Sequence, residues 1–271
     1  MRIRKRDIAY HIGKIAYRIA TIGIPLYERY LLGKIERRGE LPNHIGIIPD
    51  GNRRYAREAG IPLKEAYEKG AEKLREVLEW CLELGIKCVT VYAFSTENFQ
   101  RPRDQVETVM ELLTEKIVEV ADHPLVHKNR VRIKVIGRRD ILPEKLREAI
   151  GYAENKTRDY SDRYLNIAIG YGGRAELVDA VRKIAEDVKR GMLSPNQIDE
   201  EVVSKYLYTA GLPDPDLIIR TSGEERLSGF LLWQSAYSEL YFCDVYIPKF
   251  RKIDFLRAIR VYQQRHRRFG R

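Results

Sequence analysis

An acid, an amide and two guanidinium groups crowd into one short segment, Asp50, Asn52, Arg53 and Arg54 of HIGIIPDGNRRYAREAG (His44 to Gly60). Guanidinium forks match phosphate oxygens in bidentate geometry, and amide or hydroxyl groups add neutral donors. Asp50 among arginines stays ionised and is suited to a hard divalent cation, with phosphate oxygens completing its shell. Three further groups repeat this chemistry: Ser95, Glu97, Asn98 and Arg101; Gly172, Gly173 and Arg174; Arg220, Thr221 and Ser222. Each follows an apolar run. A single polar loop after a strand is ordinary; four rich in Arg, Asn and Ser, meeting at one rim, indicate a magnesium-assisted site for a phosphate or diphosphate substrate.

Those runs and the segments between them define the scaffold. His44 to Ile48, Cys88 to Phe94, Val131 to Gly137, Tyr164 to Gly173 and Pro215 to Gly223 read as strands, with a short one in AYSELYFCD. Lys64 to Gly85 and Arg103 to Val120 carry helical periodicity, and DFLRAIRVYQQRHRRFG reads as a closing helix. Buried strands alternating with amphipathic helices predict an α/β fold, a mostly parallel central sheet flanked by helices. In such sheets the ligand lies at the carboxyl ends of the strands, where the four polar groups fall. Two domains are expected, an N-terminal amphipathic helical extension at 1–40 and a single catalytic α/β domain at 41–271.

The net charge of +10 sits at the ends of the chain. Residues 1–40 hold ten Lys/Arg against four Asp/Glu, and residues 249–271 nine against one, so the middle is about −4. Nucleic-acid binders spread basic charge over the folded body, so no nucleic acid is expected. Charged termini suit an anionic membrane surface or gathered phosphates. Ile8, Ile12, Ile15, Ala16 and Ile19 fall at helical spacing, too short and too interrupted by Lys14 and Arg18 to span a bilayer. That helix either docks on the body or makes peripheral membrane contact. Cys81, Cys88 and Cys243 lack metal-ligand spacing and read as structural thiols of a reducing, cytoplasmic setting. No GxxxxGK[ST] loop, GxGxxG fingerprint or GxSxG elbow is present, and His44 reads as a structural strand residue.

Taken together, HIGIIPDGNRRYAREAG, VYAFSTENFQRP, LNIAIGYGGRAELVDA and PDLIIRTSGEERLSGFLLWQSAYSELYF resemble the conserved segments of the cis-prenyltransferases, the undecaprenyl diphosphate synthase family. The resemblance runs from about His44 to Arg271. It implies an α/β fold with an apolar substrate tunnel, a homodimer, Mg2+ as cofactor, and repeated cis addition of isopentenyl diphosphate to an allylic diphosphate. It makes Asp50 the magnesium-linked catalytic aspartate, with Gly51, Asn52, Arg53 and Arg54 cradling the allylic diphosphate and Arg101 adding to them. It puts Asn98 and Ser95 near the reacting ends, Arg220, Arg226 and Ser228 on isopentenyl diphosphate, and Glu239 on the metal. Arg268 and Gly270 resemble an Arg-x-Gly tail that reaches substrate phosphate across a dimer interface. Helices at 64–84 and 103–120, over strands 88–94 and 131–136, are the expected tunnel walls.

Two departures bear on the starter substrate. The Gly-His-x-x-Gly segment of many bacterial members is Ala66-Tyr67-Glu68-Lys69-Gly70 here, and Leu63-Lys64 stands where those members place an arginine. Lys64 supplies a point charge without the bidentate fork. The resemblance therefore points to an archaeal or eukaryote-like branch that extends farnesyl or geranylgeranyl diphosphate to a long-chain polyprenyl diphosphate for a lipid glycan carrier. A short-chain cis-prenyl synthase and a noncatalytic partner subunit are the alternatives.

Overall fold

The apolar runs pair as a six-stranded sheet whose five pairings are all parallel, in the order β3-β4-β2-β1-β5-β6. The computed structural model describes residues 23–265. Residues 23–38 are helical (α1). There follow β1 (His44–Ile48), α2 (Asn52–Ala59), α3 (Leu63–Glu83), β2 (Cys88–Ser95), α4 (Arg103–Asp122), α5 (Pro124–Lys128) and β3 (Val131–Ile136). The rest are α6 (Glu144–Thr157), β4 (Arg163–Tyr171), α7 (Gly173–Lys189), α8 (Glu200–Tyr206), β5 (Leu217–Arg220), β6 (Glu239–Phe242) and α9 (Lys252–Gln264). The expected parallel α/β architecture is the observed one.

The strands are apolar throughout because both faces are covered; all of β1 and β5 is buried. The path of the chain locates a crevice. From β1 it crosses to β2 on one side, whereas from β5 it continues to β6 on the other, and β1 and β5 are neighbours. Adjacent strands whose connections diverge leave an opening above their carboxyl ends. Asp50 follows β1, and Arg220 ends β5 in register with Ile48.

The chain divides into two compact units, residues 42–250 and a smaller one from the described parts of 1–41 and 251–266. In the smaller unit α1 buries Leu31 and Ile35, and α9 buries Phe255, Leu256 and Ile259. Gln263 Nε2 donates to the carbonyls of Ile35 and Glu40, each at 3.0 Å. Ile8 to Ile19, the stretch of helical spacing read above, lies outside the described residues.

Mid-sheet, polar groups close on one another. His44 Nδ1 lies 2.7 Å from the Pro213 carbonyl, which can only accept, so Nδ1 carries the proton. Nε2 therefore accepts from the Thr90 hydroxyl at 2.8 Å, and Thr90 Oγ1 accepts from Asn166 Nδ2 at 3.1 Å. This is the structural histidine that its place on a strand suggests. Burial holds the ring below its ordinary value of 6.5, against the pull of the Pro213 carbonyl and Asp216. The unfolded chain binds a proton that the folded one refuses, so stability is lost as pH falls below about 6.5. The thermal midpoint is expected to drop as pH falls from about 7 to 5, and His44→Asn should flatten that slope in a pH series of melting curves. Cys81 and Cys88 are buried free thiols, and burial pushes Cys88 up to about 12.

Candidate active site

The crevice is built on Asp50. Its Oδ1 accepts from the Gly51 amide at 2.7 Å, and its Oδ2 from Arg220 Nη2 at 2.9 Å. Burial opposes the charge, but the hydrogen bond and charge of Arg220, with Gly51 and Ser222, outweigh it and hold the carboxyl below the usual carboxylate range. Arg220 also donates from Nη1 to Ser228 Oγ at 2.8 Å and to the Arg226 carbonyl. Arg54 Nη2 donates to Ser222 Oγ at 2.7 Å and lies 3.6 Å from Asp50 Oδ2. Glu224 bridges Arg54 Nη1, at 3.0 Å, and Arg226. Arg54, Arg220 and Arg226 thus share one cluster with Asp50, although they come from two distant segments.

Glycine makes the turn after β1. Gly51 has φ 109°, and a Cβ there would meet Tyr246 at 2.8 Å. It precedes α2 directly, so the free amides of that helix open beside Asp50. Asn52 Oδ1 is seated over Gly70 of α3, where a Cβ would come within 2.2 Å of it. The same oxygen and Arg220 Nε are buried without a hydrogen-bond partner. Two orphaned polar atoms of opposite sense on one rim are groups that a ligand's phosphate, cation or water satisfies.

At the end of β2, Ser95 and Asn98 form a reciprocal capping box over the turn Thr96–Gln100, with Ser95 Oγ accepting from the Asn98 amide at 3.2 Å and Asn98 Oδ1 from the Ser95 amide at 3.3 Å. Arg101 Nη1 donates to Tyr67 Oη at 3.3 Å. Tyr67 stands where many bacterial relatives by resemblance carry histidine, so this chain places a phenol beside Arg101.

Other expectations are placed differently. Glu239 does not join Asp50 within one chain. Strands β5 and β6 run parallel, so Glu239 pairs with Leu217 at the amino end of β5, three register steps below Arg220 and about 10 Å down the strand. Arg53 and Arg174 are exposed. Arg268 and Gly270 lie outside the described residues. Ser222, standing in the loop group but not among the expected substrate contacts, binds Arg54; Glu224 and Tyr246 were not singled out at all. The available signal for Glu224 was its place between Arg220 and Arg226 in one loop.

Beneath the rim lies a cavity of about 460 Å³. Its walls are Leu74 and Leu78 of α3, Leu112 and Ile117 of α4, Val89, Val91 and Ala93 of β2, and Leu165 and Ile167 of β4. Val131, the first residue of β3, also lines it. Of the expected walls α3, α4 and β2 line the cavity, whereas β3 contributes only Val131 and β4, which was not expected there, takes its place because it lies between β2 and β3 in the sheet. Its upper end includes Ala71, next to Gly70, and Ala93, two residues before Ser95.

Among the described residues no three His, Cys, Asp or Glu side chains gather as a metal cage. Magnesium seldom needs one: it binds one or two carboxylates and keeps waters and substrate phosphates as its other ligands. An ionised Asp50 beside a diphosphate-sized cluster of donors fits that habit.

A parallel α/β scaffold with a cationic crevice over an apolar cavity defines a protein that handles an amphiphile with an anionic head. Residues 48–270 match the prenyltransferase family described as "Putative undecaprenyl diphosphate synthase". The chain is similar to the tritrans,polycis-undecaprenyl-diphosphate synthase (geranylgeranyl-diphosphate specific) of Methanopyrus kandleri, 56% identical over 246 residues, which are 91% of this chain and 90% of the relative. The protein of the same name from Pyrococcus horikoshii is 53% identical over 264 residues, 97% of this chain and 98% of its own. Among solved structures, lavandulyl diphosphate synthase from Lavandula x intermedia in complex with dimethylallyl diphosphate superposes with TM-score 0.80 at 35% identity, covering 85% of this chain and 99% of that one. This chain belongs to the undecaprenyl diphosphate synthase family of cis-prenyltransferases.

Proposed function

We propose that the protein condenses isopentenyl diphosphate onto geranylgeranyl diphosphate, adding successive cis units until a long-chain polyprenyl diphosphate, the precursor of a lipid glycan carrier, is released. The observation that carries this reading is the convergence of Asp50, Arg54, Arg220 and Arg226 on a rim that adjoins an apolar cavity through Ala71, next to the Gly70 that seats Asn52. Geranylgeranyl is favoured over farnesyl as starter by the names of the archaeal relatives.

The reaction breaks the allylic C1–O bond, joins C1 to C4 of isopentenyl diphosphate, and removes a proton from C2. A diphosphate oxygen, present in the site and basic as it departs, is the preferred acceptor over the ion-paired Asp50. Negative charge grows on the leaving group, so donors fixed in advance stabilise the transition state more than the ground state. Arg54, Asn52 and the first amides of α2 take the allylic diphosphate; Arg220, Arg226 and Ser228 seat the other. Asp50 would hold Mg2+, which when bound neutralises charge on the departing diphosphate. The cavity takes the growing tail, at about 0.8 kcal/mol for each buried methylene.

A second copy is supported by apolar side chains left exposed, Val178 and Val181 of α7 and Leu232 and Tyr237 of the segment that precedes the edge strand β6. Peripheral membrane contact is supported by α1, where Leu26, Tyr27 and Tyr30 are exposed and Lys34 Nζ lies 4.5 Å from the Tyr30 ring centre. No helix among the described residues is long and apolar enough to cross a membrane.

The test is incubation with Mg2+, labelled isopentenyl diphosphate and either allylic starter, read by product chain length and by co-sedimentation with anionic vesicles. Elongated product favouring geranylgeranyl diphosphate is expected. No product from either starter would reject the enzymatic reading and leave the partner-subunit alternative; a product extended by only one or two units would favour the short-chain alternative.

A further inference from the structure

The segment between β5 and β6 is unusual in its backbone. Of the four non-glycine residues with positive φ among the described residues, three lie here: Ser222 at 82°, Ser228 at 49° and Leu231 at 45°. Left-handed backbone is costly for residues with a Cβ and persists where surrounding contacts impose it. Ser222 and Ser228 both turn their hydroxyls to the cluster, Ser222 Oγ accepting from Arg54 Nη2 at 2.7 Å and Ser228 Oγ from Arg220 Nη1 at 2.8 Å.

The contacts that impose this conformation come from beneath. The Gly229 carbonyl accepts from the Gly173 amide, the first of α7, at 2.8 Å. The Ser228 carbonyl accepts from Tyr92 Oη at 3.3 Å, and the same hydroxyl lies 3.3 Å from the Tyr171 carbonyl. Both carbonyls are acceptors only, so the tyrosine proton is directed at them, and the Ser95 hydroxyl is a further hydrogen-bond neighbour of the phenol. Burial pushes the Tyr92 phenol well above its ordinary value, so the hydroxyl stays a donor at any working pH. Its ring is held equally firmly, stacked on Phe230 with centres 4.8 Å apart and planes at 18°, and edge-on to Tyr171 at 5.8 Å. Phe230 has room for this because residue 46 is glycine; a Cβ there would meet its ring at 3.0 Å.

We infer that Tyr92 is a positioning residue for substrate binding: its hydroxyl holds the left-handed Ser228 peptide so that Ser228 Oγ and Arg220 remain paired as a preset seat for the homoallylic diphosphate. Tyr92 touches neither substrate. It acts through Ser228, and the inference rests on the proposed role of Ser228 and Arg220 in seating isopentenyl diphosphate.

The experiment is steady-state kinetics on Tyr92→Phe, Ser228→Ala and the double variant, with each substrate varied in turn and a melting curve for every protein. Tyr92→Phe keeps the ring stack and removes the hydrogen bond. It is expected to raise KM for isopentenyl diphosphate about 5-fold, as one lost hydrogen bond predicts, with kcat and the KM for the allylic substrate little changed. The double variant should be no worse than Ser228→Ala alone, because Tyr92 works through that residue. If Ser228→Ala raises this KM and Tyr92→Phe does not, or if the two effects multiply, the positioning role is overturned while the proposed function stands. Equal loss in both KM values and kcat, with a lowered melting point, would make Tyr92 merely structural and also overturn it. If Ser228→Ala leaves the KM for isopentenyl diphosphate unchanged in an active enzyme, the assignment of the seat fails, and the inference with it.

Discussion

Asp50→Asn is expected to lower turnover about 10³-fold while the protein still folds. The substitution keeps the shape of the side chain and removes its charge, so any divalent cation and the ordering of Arg54 and Arg220 lose their anchor. The carboxylate accepts at both oxygens, from Gly51 N–H and from Arg220. An amide has one accepting oxygen, so one of these donors must then face an NH2 group. That mismatch costs about 1–3 kcal/mol in a buried site. The lower end applies here, because the Asp50 side chain is 34% exposed and solvent screens the loss. Product formation from labelled isopentenyl diphosphate, with melting curves on the same preparations, reads both effects. Near-normal turnover in a folded Asp50→Asn protein would remove Asp50 from the mechanism.

The second large effect concerns product length. Val91 lies between Val89 and Ala93 on the β2 wall of the cavity and is 2% exposed. Val91→Trp would project an indole into the hollow below the site. With the chemistry proposed at Asp50, the first condensations are expected to proceed at close to the normal rate. Each further five-carbon unit then has no apolar space to enter and forgoes about 4 kcal/mol of burial, at about 0.8 kcal/mol for each carbon. Elongation should therefore stop several units early, seen as a shift of the whole product distribution to shorter chains. Overpacking costs about 1–3 kcal/mol of stability, which melting curves would show separately. An unchanged distribution would mean that the tail grows elsewhere.

These results depend on different amounts of sequence information. Val89, Val91 and Ala93 alternate along an apolar run, and the helices that face them carry 3.6-residue periodicity, so the α3, α4 and β2 walls were readable, whereas β4 became a wall only through a strand order that inserts it between β2 and β3. Asp50, Asn52 and Arg54 announce themselves by type and spacing. Glu239 shows where this kind of reading stops. A motif locates a residue along the chain, but depth along a strand depends on pairing register, and parallel pairing with Leu217 sets this carboxylate at the far end of β6 from Asp50. Tyr92 was hidden for a related reason: within VYAFSTENFQRP it resembles any buried strand aromatic, and its hydroxyl gains meaning only through a carbonyl 136 residues away.

The sequence by itself determined the alternation of strand and helix, the class of ligand that four arginine-bearing loops suit, and the presence of an ionised aspartate among them. These follow from local periodicity and from side-chain chemistry, which a linear string preserves. Only the tertiary structure decided that β1 and β5 lie side by side, that Glu224 bridges Arg54 and Arg226, that Gly70 makes room for Asn52, and that α3 and α4 stand apart over the sheet to leave a hollow. Those outcomes depend on the packing of segments far apart in the chain, where distances of a few ångströms decide whether two groups meet.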